Sequence, residues 1–391
     1  MGASSEKPFA LTTFGHVTDI NHMSGTPYHL WRAARDVGWP MEAIDLPRSG
    51  DVPVARFLWQ MGRVLRGAAP SGYMWSPSFQ ESVWRPRSAT LARCHILHNF
   101  QLFAPSVIAR AENGEAAISF YIDLTLRELF GGYRDLKHLK GSTAEAAFTL
   151  EARGYRAARR VITMSETSAR VLRDAYGVDP EKVSVVHPGA NVDETLADAA
   201  PPPAYSRGRE FTVGFVGMDY RRKGLLPLAE AIMGLRRRKH RIRLLVIGPS
   251  PPELRGCDGI EMVGRIDKSS EMSRFIATLA RCDLGALASE AEGVAISVLE
   301  FLRLGIPVLT TKVGGIAEAV PHGCAVLLEP GASASDLAAE LERLLVSDDV
   351  IRSLQAEAWS ARGRLSWRRA AMEMAQLFNV ALPQPAASHH G

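Results

Sequence analysis

The chain has 391 residues, 46% hydrophobic and 23% charged, with 46 Lys and Arg against 42 Asp and Glu and a formal net charge of +4. That composition suits a globular protein with a sizeable core, and at about 100–200 residues per domain the length predicts two domains. The small positive excess fits an anionic ligand and excludes the strongly basic stripe of a nucleic-acid binder; no zinc-finger, RRM or basic-zipper pattern argues otherwise.

The first eight residues, MGASSEKP, lack the basic and apolar regions of a secretory signal, and Glu6 stands where a myristoylation signal needs Ser or Thr. Residues 9–14 are β-like and 27–37 helical, with Ser24 or Thr26 as the expected cap and Pro27 in the first turn. Next come a strand at 117–122, a helix at 145–160, a strand at 160–164, a helix at 166–176 and a strand at 183–186. Residues 199–209 are Pro-rich and aperiodic, which predicts a linker or an exposed connection. The alternation then restarts with strands at 211–216, 242–247, 261–263, 284–287 and 308–310. Helices at 226–237, 270–280, 296–304 and 337–345 fall between and after them. A last helix spans 366–378, and the terminal 389–391 are expected to be disordered.

This order predicts an α/β protein of two Rossmann-like domains, 1–205 and 206–365, with a cleft between them and a helix at about 366–380 packing back on the first. The ligand is expected at the carboxyl ends of the strands. No apolar run approaches the roughly 18 residues that span a bilayer. The four cysteines, Cys94, Cys257, Cys282 and Cys324, form no CxxC pair and read as reduced thiols. Both features predict a soluble, cytoplasmic protein. The basic run 236–243 reads as a solvated face at a helix end. A contact with acidic lipid heads, placing the chain at the inner face of a membrane, is the alternative.

The most informative stretch is Ser289 to Leu309. Gly293 lets the backbone approach a ligand closely. The free N–H groups of a helix opening at Val294, Ala295 and Ile296 form an anion site suited to phosphate. Glu292 lies just before that helix and Glu300 inside it, neither with a basic partner nearby in sequence. Two carboxylates so placed can accept hydrogen bonds from the hydroxyls of two sugars. Alternatively, Glu292 is a charge favoured by the helix dipole and Glu300 a solvated helix residue. A second block runs Gly217, Met218, Asp219, Tyr220, Arg221, Arg222, Lys223, Gly224. Cations beside a helix N-terminus make a diphosphate site; a solvated basic turn is the alternative. Arg265 and Ile266 follow a strand and could face a base, Gly25 opens an early helix, and Asp123 ends an apolar strand.

These blocks resemble the retaining GT-B glycosyltransferases of family 4, the group 1 type. Glu292 and Glu300 stand in the two positions of the E-x7-E signature, with Gly293, Gly305 and Pro307 in place, and 311–318 is similar to the T-x-x-G-G-x-x-E that follows. The resemblance is closest over 211–345, weaker over 115–195, and vague before that. It implies a GT-B fold with Glu300 on the nucleotide ribose. It also implies that Glu292, Gly293 and the 294–296 amides hold the donor sugar and phosphates. Gly217, Arg222 and Lys223 would take the diphosphate, and Arg265 and Ile266 the base. Met218 occupies the place of the family's arginine, with Arg222 as its substitute, and Ile122 replaces a histidine beside Asp123. Glu292, Lys223, Arg222 and Asp123 are the expected catalytic set, and Gly25 faces donor or acceptor.

The implied activity is transfer of a sugar from a UDP- or GDP-sugar to a saccharide or lipid-linked acceptor, in surface polysaccharide or glycoconjugate synthesis. It would need no metal, because no D-x-D, HExxH or paired-cysteine site is present. A P-loop and a G-x-S-x-G elbow are also missing, against an ATPase or serine hydrolase. The rivals are a sugar phosphorylase or nucleotide-sugar epimerase on the same fold, and a non-catalytic nucleotide-sugar-binding scaffold. Oligomeric state has no signature in the sequence.

Overall fold

Strands such as FALTTF and AISFYI are buried along their whole length, so both faces of each sheet must be covered. Parallel pairing with helical crossovers satisfies that demand. The structure, a computed structural model, describes residues 7–67, 71–132, 142–203, 205 and 208–383. The readings made at residues 1–6 and 389–391 lie outside the described residues. Two compact units emerge: Met1–His187 with Arg368–Gly391, and Pro188–Trp367.

The first unit holds β1 (Phe9–Phe14), β2 (Met41–Leu46), β3 (His95–His98), β4 (Ala117–Ile122), β5 (Arg160–Thr163) and β6 (Val183–Val185), in the order β2-β1-β3-β4-β5-β6. The second holds β7 (Phe211–Val216), β8 (Ile242–Ile247), β9 (Ile260–Gly264), β10 (Leu284–Leu287), β11 (Val308–Thr311) and β12 (Ala325–Leu328), in the order β12-β11-β10-β7-β8-β9. Every pairing between these strands is parallel. In each sheet the chain works outward from its first strand, then returns to that strand's other side. The reversal falls between β1 and β3 in the first sheet and between β7 and β10 in the second. Loops leaving the carboxyl ends of such a pair diverge and open a crevice.

β2, β3, β12 and the helices Pro53–Val64, Pro77–Trp84, Pro105–Glu112 and Asp348–Ala361 had no counterpart in the sequence reading. β3 reads HILH, with a polar residue at each end, and the fold buries both. His95 Nε2 meets Ser119 Oγ at 2.9 Å, and His98 Nδ1 meets Thr12 Oγ1 at 2.8 Å. Burial pushes both imidazoles down to about 3, so they are neutral core residues.

Two expectations need correction. The cap of the helix Thr26–Asp36 is Gly25, in the left-handed region and without a side chain, and Thr26 is the first helical residue. The Pro-rich stretch belongs with the second unit: it opens on the helix Glu194–Ala199, and the Tyr205 ring packs 5.9 Å from Phe211. The basic run 236–243 keeps Arg237, Arg238, Lys239 and Arg241 exposed, a solvated face at the helix end, and several of its charges are paired. Arg236 grips Asp258 and Glu210, Arg238 and His240 both meet Glu342, and Arg243 meets Glu261. The last helix, Trp367–Leu377, leads to Phe378, whose ring packs 5.0 Å from Phe9 and 5.1 Å from His95. His187 accepts at its carbonyl from Arg369 at 2.7 Å and meets the Met164 carbonyl through Nδ1 at 2.9 Å, a structural role.

The first unit buries one carboxyl completely. Glu151 accepts from Leu126 N at 2.7 Å, Tyr155 Oη at 2.7 Å and Tyr176 Oη. Burial pushes it up to about 7 against those three donors, from an ordinary 4.5. The folded state therefore holds a proton that the unfolded chain has released between about 4.5 and about 7. Stability from this site is fully present below 4.5 and is lost as pH rises through 7. Denaturant unfolding across that window is expected to show stability falling with pH, and Glu151→Gln to flatten the slope. An unchanged slope in the variant would place the titration elsewhere.

Candidate functional site

β7 ends at Val216, and the chain turns through Gly217 into a tight helical turn, with Lys223 N donating to Asp219 O at 3.0 Å. Asp219 fastens this turn by accepting from Arg222 N at 3.2 Å and Arg222 Nε at 3.1 Å. Gly224 then takes φ +72° and caps the helix Leu225–Arg237. A Cβ there would lie 2.3 Å from the Ala288 carbonyl oxygen, so glycine alone lets the basic turn lie against the chain leaving β10. Glu290 N donates to Arg222 O at 2.8 Å and ties the two loops together.

This places both cations on one carboxylate. Glu292 Oε1 lies 2.8 Å from Lys223 Nζ and 2.9 Å from an Arg222 guanidinium nitrogen, and accepts from Ser289 Oγ at 3.2 Å. Arg222 also donates to the Ala291 carbonyl. Glu292 is only 8% exposed. Burial pushes its carboxyl up, but Lys223 and then Arg222 outweigh that and hold it below the usual range, so it is ionised at neutral pH. An ammonium has three donors, and Glu292 takes one of those on Lys223 among the described residues. The rest are available to a second anion.

The helix Ile296–Arg303 opens beside Glu292, with Ala295 as cap residue and no side-chain cap hydrogen bond. Its leading amides therefore keep their donors, backed by the positive end of the helix dipole. The Ser297 hydroxyl in that first turn is buried with no partner among the described residues. Behind it, Gly315 N donates to Gly293 O at 2.7 Å. Gly314, at φ +55°, lies so close that a Cβ would sit 1.9 Å from the Glu292 carbonyl oxygen. Gly314→Ala is expected to cost about 1–3 kcal/mol through strain and overpacking and to shift the Glu292 loop. Thermal unfolding with a nucleotide titration checks both; native values in each would show that the loop yields freely.

Glu300 is 2% exposed and meets a cation the sequence reading missed: Lys268, at the start of the helix Lys268–Leu279, whose ammonium pairs with its carboxylate. Lys268 also donates to Asn191 O at 3.3 Å and lies 4.3 Å from the centre of the Phe275 ring. Burial pushes the Glu300 carboxyl up, and Lys268 opposes that shift.

Arg265 is exposed and Ile266 buried, just beyond the end of β9. Met218 is exposed at the basic turn. Asp123 and Gly25 belong to the first unit, where Asp123 follows β4 and accepts from Leu124 N at 2.9 Å. Lys268, Ser289 and Ser297 join the candidate site through the structure alone. Lys268 is 32 residues from Glu300 and has no local signature. Ser289 sits inside the recognised block, where its hydroxyl could have been read as a partner for the carboxylate three residues on. Among the described residues, no group of three or more His, Cys, Asp or Glu side chains is placed to hold a metal ion.

Two family models match the chain in succession: Glycosyltransferase Family 4 over residues 28–194, and Glycosyl transferases group 1 over 210–347. A D-inositol 3-phosphate glycosyltransferase of Thermobispora bispora is 30% identical over 244 residues, 58% of this chain and 56% of the relative. The match thus spans little more than half the length of that relative. Among solved structures, sucrose-phosphate synthase from Thermosynechococcus elongatus superposes with a TM-score of 0.68 at 18% identity, covering 96% of this chain and 98% of that one. Anabaena HepE in complex with UDP gives 0.64 at 15% identity, covering 96% and 100%. At those identities the structural likeness speaks for the fold.

Proposed function

The chain belongs to the group 1 glycosyltransferases of family 4, and from that membership we propose that it transfers a sugar from a nucleotide-diphosphate donor to a hydroxyl acceptor with retention of configuration. The observation that carries this reading is the convergence of Lys223 and Arg222 on Glu292, beside an uncapped helix N-terminus at the β7/β10 reversal. Two half-buried cations and a set of backbone amides are what a departing diphosphate needs. The ionised Glu292 would accept hydrogen bonds from donor-sugar hydroxyls, and Glu300 from the ribose. Gly217 would let the phosphates approach, and Arg265 and Ile266 would border the base.

In the reaction, the bond from the anomeric carbon to the phosphate oxygen breaks and one to the acceptor oxygen forms on the same face. The acceptor's proton passes to a donor phosphate oxygen, and the nucleoside diphosphate leaves with Lys223, Arg222 and the 294–296 amides around its charge. Asp123 and Gly25 are proposed to serve the acceptor side, with the first unit taking the acceptor and the second the donor. With the diphosphate met by side chains and amides, no metal is required. The acceptor is a saccharide or lipid-linked saccharide in glycoconjugate synthesis. An inositol phosphate, named for the Thermobispora relative, is a further acceptor to test.

Calorimetric titration with UDP, GDP and ADP, with and without EDTA, tests the donor site. One nucleotide is expected to bind with unchanged affinity in EDTA; loss of binding in EDTA would overturn metal independence. NMR of the product anomer tests retention, and an inverted product would overturn it. Binding without transfer to any acceptor would leave a scaffold subunit.

A further inference from the structure

The helix Pro53–Val64 is inside out. Its apolar side chains Val54, Phe57, Leu58, Met61 and Val64, with Leu65 just beyond, follow helical spacing and cover about a third of the circumference, the width of a core-facing stripe. Yet all of them are exposed, Phe57 by 60% and Leu65 by 81%. The helix buries none of its residues and turns its other side to the protein. Val52 and Trp59 pack against the core of the first unit, with the Trp59 ring 5.3 Å from Tyr73 and the Arg63 guanidinium 5.2 Å from Trp59. Six of the eleven large exposed hydrophobic side chains among the described residues lie between 54 and 65. They form one patch rather than scattered singles, and such patches mark interaction surfaces.

Charge indicates what covers the patch. By helical spacing Arg56, Arg63 and Arg66 fall on the side opposite the stripe, and no acidic residue occurs between Asp51 and Glu81. A protein partner would suit an apolar stripe backed by charge of either sign; a helix whose polar side carries cations and no acidic residue favours an anionic surface. At 1.5 Å per residue the helix is about 18 Å long, too short to cross a bilayer but suited to lying in its interface. The long stems of Arg56 and Arg66 let their heads reach from the polar side to lipid phosphates.

We propose that the helix Pro53–Val64 docks the first unit on an anionic lipid bilayer, with Phe57, Leu58, Met61 and Leu65 inserted among the acyl chains and Arg56 and Arg66 on the headgroups. The paired basic run 236–243 takes no part. This docking stands independently of the donor site.

Flotation of the full chain with phosphatidylcholine vesicles, with and without phosphatidylglycerol, tests it. The chain is expected to float with the phosphatidylglycerol vesicles only, and less so as salt rises. Phe57→Ser with Leu58→Ser should abolish flotation, and Arg56→Gln with Arg66→Gln should weaken it by about fivefold per arginine. All four side chains are exposed, so thermal unfolding should stay at the native temperature in both variants. Equal flotation with both vesicles, or with neither, overturns the proposal. So does a concentration-dependent dimer that Phe57→Ser with Leu58→Ser dissolves, because the patch would then be covered by a second copy.

Discussion

Lys223→Ala is expected to lower sugar-transfer turnover by about a hundredfold or more, the loss typical of removing one preorganised charge stabiliser from a transition state. Lys223 lies at 2.8 Å from Glu292, with ammonium donors to spare for a leaving diphosphate. The effect should fall mainly on turnover, because charge on the leaving oxygen grows in the transition state. Glu292 keeps Arg222 at 2.9 Å, so the variant should fold, with a modest drop in thermal stability. Steady-state kinetics, with circular dichroism as the folding control, decides the matter. Native turnover in a folded variant would remove Lys223 from the reaction. A rise in KM alone would reduce it to donor binding.

Lys268→Met should produce the largest loss of stability. It strands the Glu300 carboxylate, 2% exposed, and removing one partner of a buried pair costs about 3–5 kcal/mol. Replacing both, Lys268→Met with Glu300→Leu, should recover most of that loss, because neither charge is then left buried alone. Burial already pushes the Glu300 carboxyl up, and losing Lys268 removes the opposing influence. A carboxyl raised in the folded state contributes stability below its unfolded value and loses it as pH rises through the folded one. The single variant should therefore be more stable in mild acid than at neutral pH. Nucleotide binding should fail in the double variant even where stability returns, if Glu300 holds the ribose. Denaturant unfolding and calorimetry on the same samples separate the two effects; equal stability of single variant and native chain would show the pair to be solvated.

The E-x7-E block could be recognised because its chemistry is local: a carboxylate, a glycine and a helix opening follow one another within five residues. The basic turn at 217–224 was legible for the same reason. Strands of mostly apolar residues, such as β1, β4 and β7, announced parallel sheets buried on both faces. β3 gave no such signal, since HILH hides its histidines only once Thr12 and Ser119 are there to receive them. β2, with acidic residues in MEAIDL, is a half-covered edge whose pattern is too polar to stand out.

From the order of residues alone come the two βα series, the family resemblance, and the glycines and carboxylates of the recognised block, because each rests on spacing along the chain. Partnership is different. Glu292 reaches its cations across 69 residues and Glu300 finds Lys268 across 32. The first contact exists because the sheet order sets β7 beside β10 and brings their loops together; the second joins the start of the helix after β9 to the helix after β10. Likewise, the sequence shows an apolar stripe at 54–65, but a stripe reads the same whether it faces the core or the solvent. Only the packing of Trp59 against Tyr73 turns it outward. Charge compensation and the facing of a helix are properties of distance in space, which chain order does not carry.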